Sequence, residues 1–190
     1  MATFTIIGTG NMGKAIGGIL ADGGSDVSYV THDQVGTAPL GDVVVLAVPY
    51  PALAGIVEAY GSQFDGKVLV DITNPLNFAT FDSLVVPEGS SAAAELQKTL
   101  PSAKVLKAFN TSFAATLATG QVGGVPTTVL VAGDDDAAKK VLVDAVVAGG
   151  VKAVDAGSLA RAHELEALGF LQLTLAVSEK VAWTGGFALV

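Results

Sequence analysis

The hexapeptide Gly8-Thr9-Gly10-Asn11-Met12-Gly13 stands between a short β-branched run, Phe4-Thr5-Ile6-Ile7, and a helix-compatible stretch from Met12 to Ala21. No other feature constrains the fold as much, because a G-x-G-x-x-G match gains its meaning from a strand before it and a helix after it. Gly8 permits the sharp turn, Gly10 lets a diphosphate approach bare backbone, and Gly13 lets helix and strand pack closely. The start of the helix then presents unpaired N–H groups and the positive end of its dipole. The motif predicts a dinucleotide cradle made of Gly8, Thr9, Gly10, Asn11, Met12 and Gly13, with a ligand-free glycine turn as the alternative.

The rest of the chain alternates in the same manner. Val27–Val30, Val43–Val48 and Val68–Val70 are short apolar runs bounded by turn residues, as in strands buried on both faces of a parallel sheet. Helix-compatible stretches follow at Pro51–Tyr60 and Ala92–Leu100. Strand candidates Val105–Ala108 and Thr128–Val131, a helix from Asp134 to Val147, a strand at Val151–Val154 and a last helix from about Ser158 complete the series, which ends at Gly185-Gly186. Thr31–Gly41 is too short and too rich in Gly and Pro for a crossover helix, so a bare loop is expected there. The fold class is α/β, a Rossmann-type, doubly wound and mostly parallel sheet. One domain spans residues 1–190, with 158–190 as a short C-terminal helical extension.

Bulk properties exclude several functions. The net charge is −8 and no block of Lys and Arg occurs, so neither nucleic acid nor an anionic membrane surface is an expected partner. Without cysteine there is no disulfide, thiolate nucleophile or Cys-ligated metal. No basic leader precedes the first strand, and Val43–Val57, the longest charge-free apolar run, contains two prolines and falls short of the roughly 20 residues a membrane helix needs. A cytoplasmic protein is expected.

The end of the second strand selects the coenzyme. An acidic residue about 20 positions after the glycines would bond a ribose 2′-hydroxyl, and its absence leaves room for a 2′-phosphate. Here the strand ends Tyr29-Val30-Thr31-His32-Asp33. Thr31 and His32 are candidate holders of the phosphate, which favours NADP(H). NAD remains the alternative if Asp33 points inward, and a third reading leaves His32 and Asp33 solvated.

Beyond the glycines, Val70-Asp71-Ile72-Thr73-Asn74-Pro75, Lys107-Ala108-Phe109-Asn110-Thr111, Gly133-Asp134-Asp135-Asp136 and Asp155-Ala156-Gly157-Ser158-Leu159 occur in that order. Together they resemble the family of NADP oxidoreductases dependent on coenzyme F420, a deazaflavin. They are also similar to the cytosolic oxidoreductase domain of the six-transmembrane metalloreductases. The resemblance implies hydride transfer between NADPH and a flavin or deazaflavin acceptor. It further implies that Val48, Pro49 and Tyr50, then Thr73, Asn74 and Pro75, border the coenzyme, and that Asn110, Thr111 and Ser112 border the nicotinamide and its acceptor. For the Asn74 and Asn110 stretches, turn and cap chemistry is the alternative. Relatives that bind NADP commonly carry Ser-Arg where this chain has Thr31-His32. No acid–base pair stands out, as suits a reaction whose cofactors carry the chemistry while the protein aligns them.

Other polar residues carry less. Asp134-Asp135-Asp136 reads as a helix cap, and no metal-ligand set is evident. Arg161, His163, Glu164 and Glu166 read as a solvated or subunit-facing stripe, while Leu165, Leu168, Leu171 and Leu175 either close the core or make a homodimer contact. Two competing functions remain. A dehydrogenase or imine reductase of a small metabolite would usually add a long helical domain, for which too few residues follow Ser158. A non-catalytic dinucleotide-sensing module would bind the coenzyme without oxidising it.

Overall fold

In a computed structural model, described here for residues 2–190, the central element is a seven-stranded sheet. The elements run β1 (Thr3–Ile7), α1 (Asn11–Asp22), β2 (Asp26–Val30), β3 (Val43–Leu46), α2 (Leu53–Tyr60), β4 (Val68–Asp71), α3 (Ala92–Thr99) and β5 (Lys104–Lys107). Then follow α4 (Ala114–Thr119), β6 (Gln121–Val122), β7 (Val125–Pro126), β8 (Thr128–Gly133), α5 (Asp136–Ala148), β9 (Lys152–Gly157) and α6 (Ala162–Val177). The order across the large sheet is β2-β1-β3-β4-β5-β8-β9. Strands β1 to β5 are mutually parallel, β8 lies antiparallel to β5, and β9 is parallel to β8. The Rossmann-type, mostly parallel sheet is therefore present.

Strand burial explains why these runs read as continuous apolar stretches. Val43 and Val45 enter one core with Phe4, Ile6, Ile16, Leu20 and Leu142, while Val44 and Leu46 enter the other with Ile7, Leu53, Ile56 and Leu96. Alternate residues of a strand face opposite sides, so helices on both sides demand apolar residues at every position. At about 25 cal/mol per Å² of apolar surface removed from water, these two layers supply the main stabilising term.

Several elements differ from the sequence reading. Thr31–Gly41 is not entirely bare: His32–Gln34 form one 3₁₀ turn, which Thr31 and Gln34 close reciprocally through side chain and backbone. The short helix α4 and the hairpin β6–β7 carry too few residues to show a period and were not expected. Asp135 does cap α5, accepting from the Ala138 N–H at 2.7 Å, whereas Asp134 instead accepts from the Leu159 N–H at 2.9 Å.

The largest correction concerns α6. Its buried face carries Ala162, Leu165, Glu166, Gly169, Gln172 and Ala176, while Leu171 is half exposed and Leu168 and Leu175 are only partly buried. Glu166 is thus no member of a solvated stripe: it is fully buried, and Arg161 and Glu164 form a separate surface pair at 2.9 Å. Hydropathy alone does not orient this helix, because Glu166 and Gln172 turn inward to specific partners while, of its leucines, only Leu165 is buried.

Candidate functional site

The glycine turn lies where the winding of the sheet reverses, between the carboxyl ends of β1 and β3, the position at which open α/β sheets form a ligand crevice. Gly8 has φ +113°, and a Cβ there would stand 2.2 Å from the Ala47 carbonyl oxygen, so conformation and contact both demand glycine. At Gly13 a Cβ would meet the Gly8 carbonyl at 2.3 Å, which fixes the close approach of α1 to the turn. Gly10 is different: a Cβ there meets no described protein atom within 4 Å. The bare space at Gly10 lies on the surface of the turn, above the first N–H groups of α1, and suits the approach of a diphosphate.

Two cavities flank this turn. One, of about 740 Å³, is lined by Gly8, Thr9 and Gly10, by Val48 and Pro49 after β3, and by His32 after β2. Among its described lining residues only His32 can carry positive charge. Thr31 lies beside this cavity with its hydroxyl donated to Asp33. That hydrogen bond holds the Asp33 carboxyl below the usual carboxylate range, with the imidazole of His32 a minor contributor, and Asp33 lies exposed. Tyr50 instead lines a separate groove with Glu58 and Glu95. Its phenol is pushed up, first by burial and then by the negative charge of Glu166.

The second cavity, of about 400 Å³, brings together Asn11, Met12, Asn74, Asn110 and Ser112, with Phe113 and Trp183. Asn74 and Asn110 are joined reciprocally. Asn74 Nδ2 donates to the Asn110 carbonyl at 3.0 Å, and Asn110 Nδ2 donates to Asn74 Oδ1 at 2.9 Å and to the Leu165 carbonyl at 2.8 Å. Both amide hydrogens of Asn110 are thereby used, which fixes the orientation of its carboxamide. Its Oδ1 is buried and has no donor among the described residues. A buried acceptor left in this state costs about 1–3 kcal/mol, so a donor arriving from the cavity is favoured.

Beneath the pair sits a buried ionic cluster that sequence reasoning missed. Lys107 Nζ lies 2.9 Å from Asp71 Oδ2 and 2.8 Å from Glu166 Oε1, and all three side chains are fully buried. Lys107 also donates to the Thr73 carbonyl, while Asp71 Oδ1 accepts from the Thr73 N–H at 2.8 Å. The cluster therefore grips both backbone groups of the residue preceding Asn74. Glu166 further accepts from the Ala92 N–H at 2.8 Å, at the N-terminus of α3. Its carboxyl is pushed up by burial, against the opposing pull of Lys107. Lys107 and Asp71 stood inside the motifs quoted above, but nothing in their spacing reveals that Glu166 joins them.

Two further features escaped the sequence. Phe109 has φ +63°, a rare conformation for a bulky residue, directly before Asn110. Strained backbone of this sort costs about 1–3 kcal/mol and concentrates at functional sites. Gly169 of α6 faces the asparagine pair, and a Cβ there would stand 2.3 Å from Asn74 Oδ1 and 3.0 Å from Asn110 Nδ2. Of the remaining expected residues, Thr73, Pro75 and Thr111 are buried behind the cavity walls and do not line them.

Among the described residues no helix is long and apolar enough to cross a membrane, and no cluster of three or more potential metal ligands occurs. No protein-family model matches the chain. The F420-dependent NADP reductase of Methanocaldococcus jannaschii is 32% identical over 171 residues, which are 88% of this chain and 76% of that protein. The metalloreductase STEAP3 of Rattus norvegicus is 33% identical over 126 residues, 66% of this chain but only 24% of that longer protein. Among solved structures, a putative F420-dependent NADP-reductase from Arthrobacter sp. FB24 superposes with a TM-score of 0.85 at 26% identity, each chain covered in full. An imine reductase from Myxococcus stipitatus in complex with NADP+ shares the fold, with a TM-score of 0.63 at 16% identity over 94% of this chain and 63% of that one. The glycine cradle at the switch point, the paired asparagines and the near full-length similarity agree, and the chain belongs to the F420-dependent NADP reductase family of oxidoreductases.

Proposed function

We propose that this protein transfers hydride between NADPH and a flavin or deazaflavin acceptor, with NADP(H) preferred over NAD(H). The observation that carries the reading is the pair of cavities on either side of one glycine turn, the second of which is lined by Asn110, whose oriented, buried Oδ1 has no donor among the described residues. The diphosphate rests against Gly8 to Gly10 and the first N–H groups of α1. The adenosine half takes the larger cavity, beside Val48 and Pro49, where His32 is the side chain that answers a 2′-phosphate. The nicotinamide half takes the smaller cavity, where its carboxamide N–H supplies the donor that Asn110 lacks. The bound coenzyme supplies the hydride, and the chain holds and orients both reactants. Such a role asks for alignment and exclusion of water, not for an acid–base pair.

Anaerobic mixing with NADPH and a panel of FMN, FAD, riboflavin and F420 tests the proposal. Loss of reduced-nicotinamide absorbance is expected with at least one acceptor, and slower loss with NADH. A flat trace with all four removes the assignment.

A further inference from the structure

The segment after α6 does not leave the domain; it returns across the smaller cavity. Gln172, itself buried, ties it down: its Nε2 donates to the Thr111 carbonyl at 3.1 Å, and its Oε1 accepts from the Phe187 N–H at 3.0 Å. Gly186 makes this possible, because its φ is +134° and a Cβ there would lie 2.7 Å from Gln172 Oε1. Between helix and anchor, the Lys180 N–H donates back to the Leu175 carbonyl at 2.8 Å. The return carries Trp183 to the cavity, where its ring packs against Phe113 with centroids 4.9 Å apart and planes inclined at 57°.

Phe113 is 8% exposed, but Trp183 remains 51% exposed while lining the cavity. A large indole held at the mouth of a small-molecule pocket by a buried polar anchor, and left half uncovered, offers unclaimed apolar area to a flat aromatic ligand. Phe113, Ile72 and Leu173 add apolar wall to the same cavity, and the polar groups of its lining include Asn74, Asn110 and Ser112.

We infer that Trp183 is the wall against which the planar conjugated ring of the electron acceptor stacks, so that the C-terminal segment selects the acceptor and the glycine turn selects the coenzyme. The inference rests on the hydride-transfer reading above and adds the residue that recognises the acceptor's ring. No ion or base is required of Trp183; it acts by covering one face of the ring and keeping water from it.

Equilibrium dialysis with oxidised NADP present, where no turnover occurs, separates binding from activity. The probes are riboflavin, FMN and F420, each with wild type, Trp183→Ala and Trp183→Phe. For the acceptor that binds wild type most tightly, Trp183→Ala is expected to weaken binding about tenfold, the scale of one aromatic stacking contact, and Trp183→Phe by about threefold or less. NADP affinity should fall by a smaller factor than acceptor affinity in both variants, and an unchanged circular dichroism spectrum shows that they have folded. Gly186→Val, which displaces the anchor without touching the ring, should reproduce the acceptor defect in part. Trp183 is the chain's single tryptophan, so wild-type emission should also fall as the acceptor binds. Equal acceptor affinity in wild type and Trp183→Ala overturns the inference while leaving hydride transfer intact, as does a defect confined to NADP. Absence of acceptor binding and of NADPH oxidation in wild type removes the underlying function instead.

Discussion

Replacing Lys107 by methionine tests whether the buried cluster supports the site. The variant keeps most of the side-chain volume but leaves Asp71 Oδ2 and Glu166 Oε1, 2.9 and 2.8 Å from the lost ammonium, fully buried without a counter-charge. Breaking a buried pair by removing one partner costs about 3–5 kcal/mol. For a chain of this length each kcal/mol lowers Tm by about 2–4 °C, so a fall of roughly 6–20 °C is expected. The pH dependence carries the sharper signature. Burial already raises the Glu166 carboxyl above its ordinary value while Lys107 opposes that rise, so the variant's carboxyl is raised further. A carboxyl raised in the folded state takes up its proton there before the unfolded chain does, and stability then increases as pH falls through the folded value. The stability gap between wild type and Lys107→Met should therefore be widest near about pH 8 and narrower near about pH 5.5. Urea unfolding followed by circular dichroism at both pH values measures it, and Lys107→Met combined with Glu166→Gln should regain part of the loss. A gap under about 1 kcal/mol at the higher pH, or one unchanged between the two, refutes the argument that the cluster is a desolvated ion group.

Gly10→Ala should leave Tm within about 2 °C of wild type, since φ −72° and ψ −175° suit alanine and no protein atom is near, yet weaken NADP binding at least about tenfold by calorimetry. Gly169→Ala drives a methyl toward Asn74 Oδ1, and should cost about 1–3 kcal/mol in urea unfolding and lower kcat more than it raises the KM for NADPH. His32→Ala should reduce the preference for NADP over NAD by about three- to tenfold, with NAD affinity nearly unchanged, because among the described residues the larger cavity has no other lining side chain able to bear positive charge.

Local pattern carried the fold and one part of the site. The buried strands, the helices between them and the glycine turn are encoded by neighbours along the chain: the unbroken apolar run of β3, the periodicity of α1, and the backbone demand at Gly8. The motif strings around Asn74 and Asn110 could be quoted, but not the way they clasp each other across 36 positions. Glu166 shows the limit best. Expected on a solvated or subunit-facing stripe, it turns inward to a lysine on β5 and the N–H groups at the start of α3, partners 59 or more positions away. The same holds for Gly169, Gln172 and Trp183 on the returning C-terminal segment.

The sequence alone thus determined the layers, the switch-point turn and the expectation of a dinucleotide there, since these follow from contacts within one strand-turn-helix unit and from the two-sided burial of each strand. Tertiary structure alone decided which face of α6 turns inward, which buried charges lie under the asparagines, and what closes the smaller cavity. Those outcomes depend on long-range pairing of polar groups whose desolvation must be matched partner by partner, and hydropathy along a chain carries no record of which partner that is.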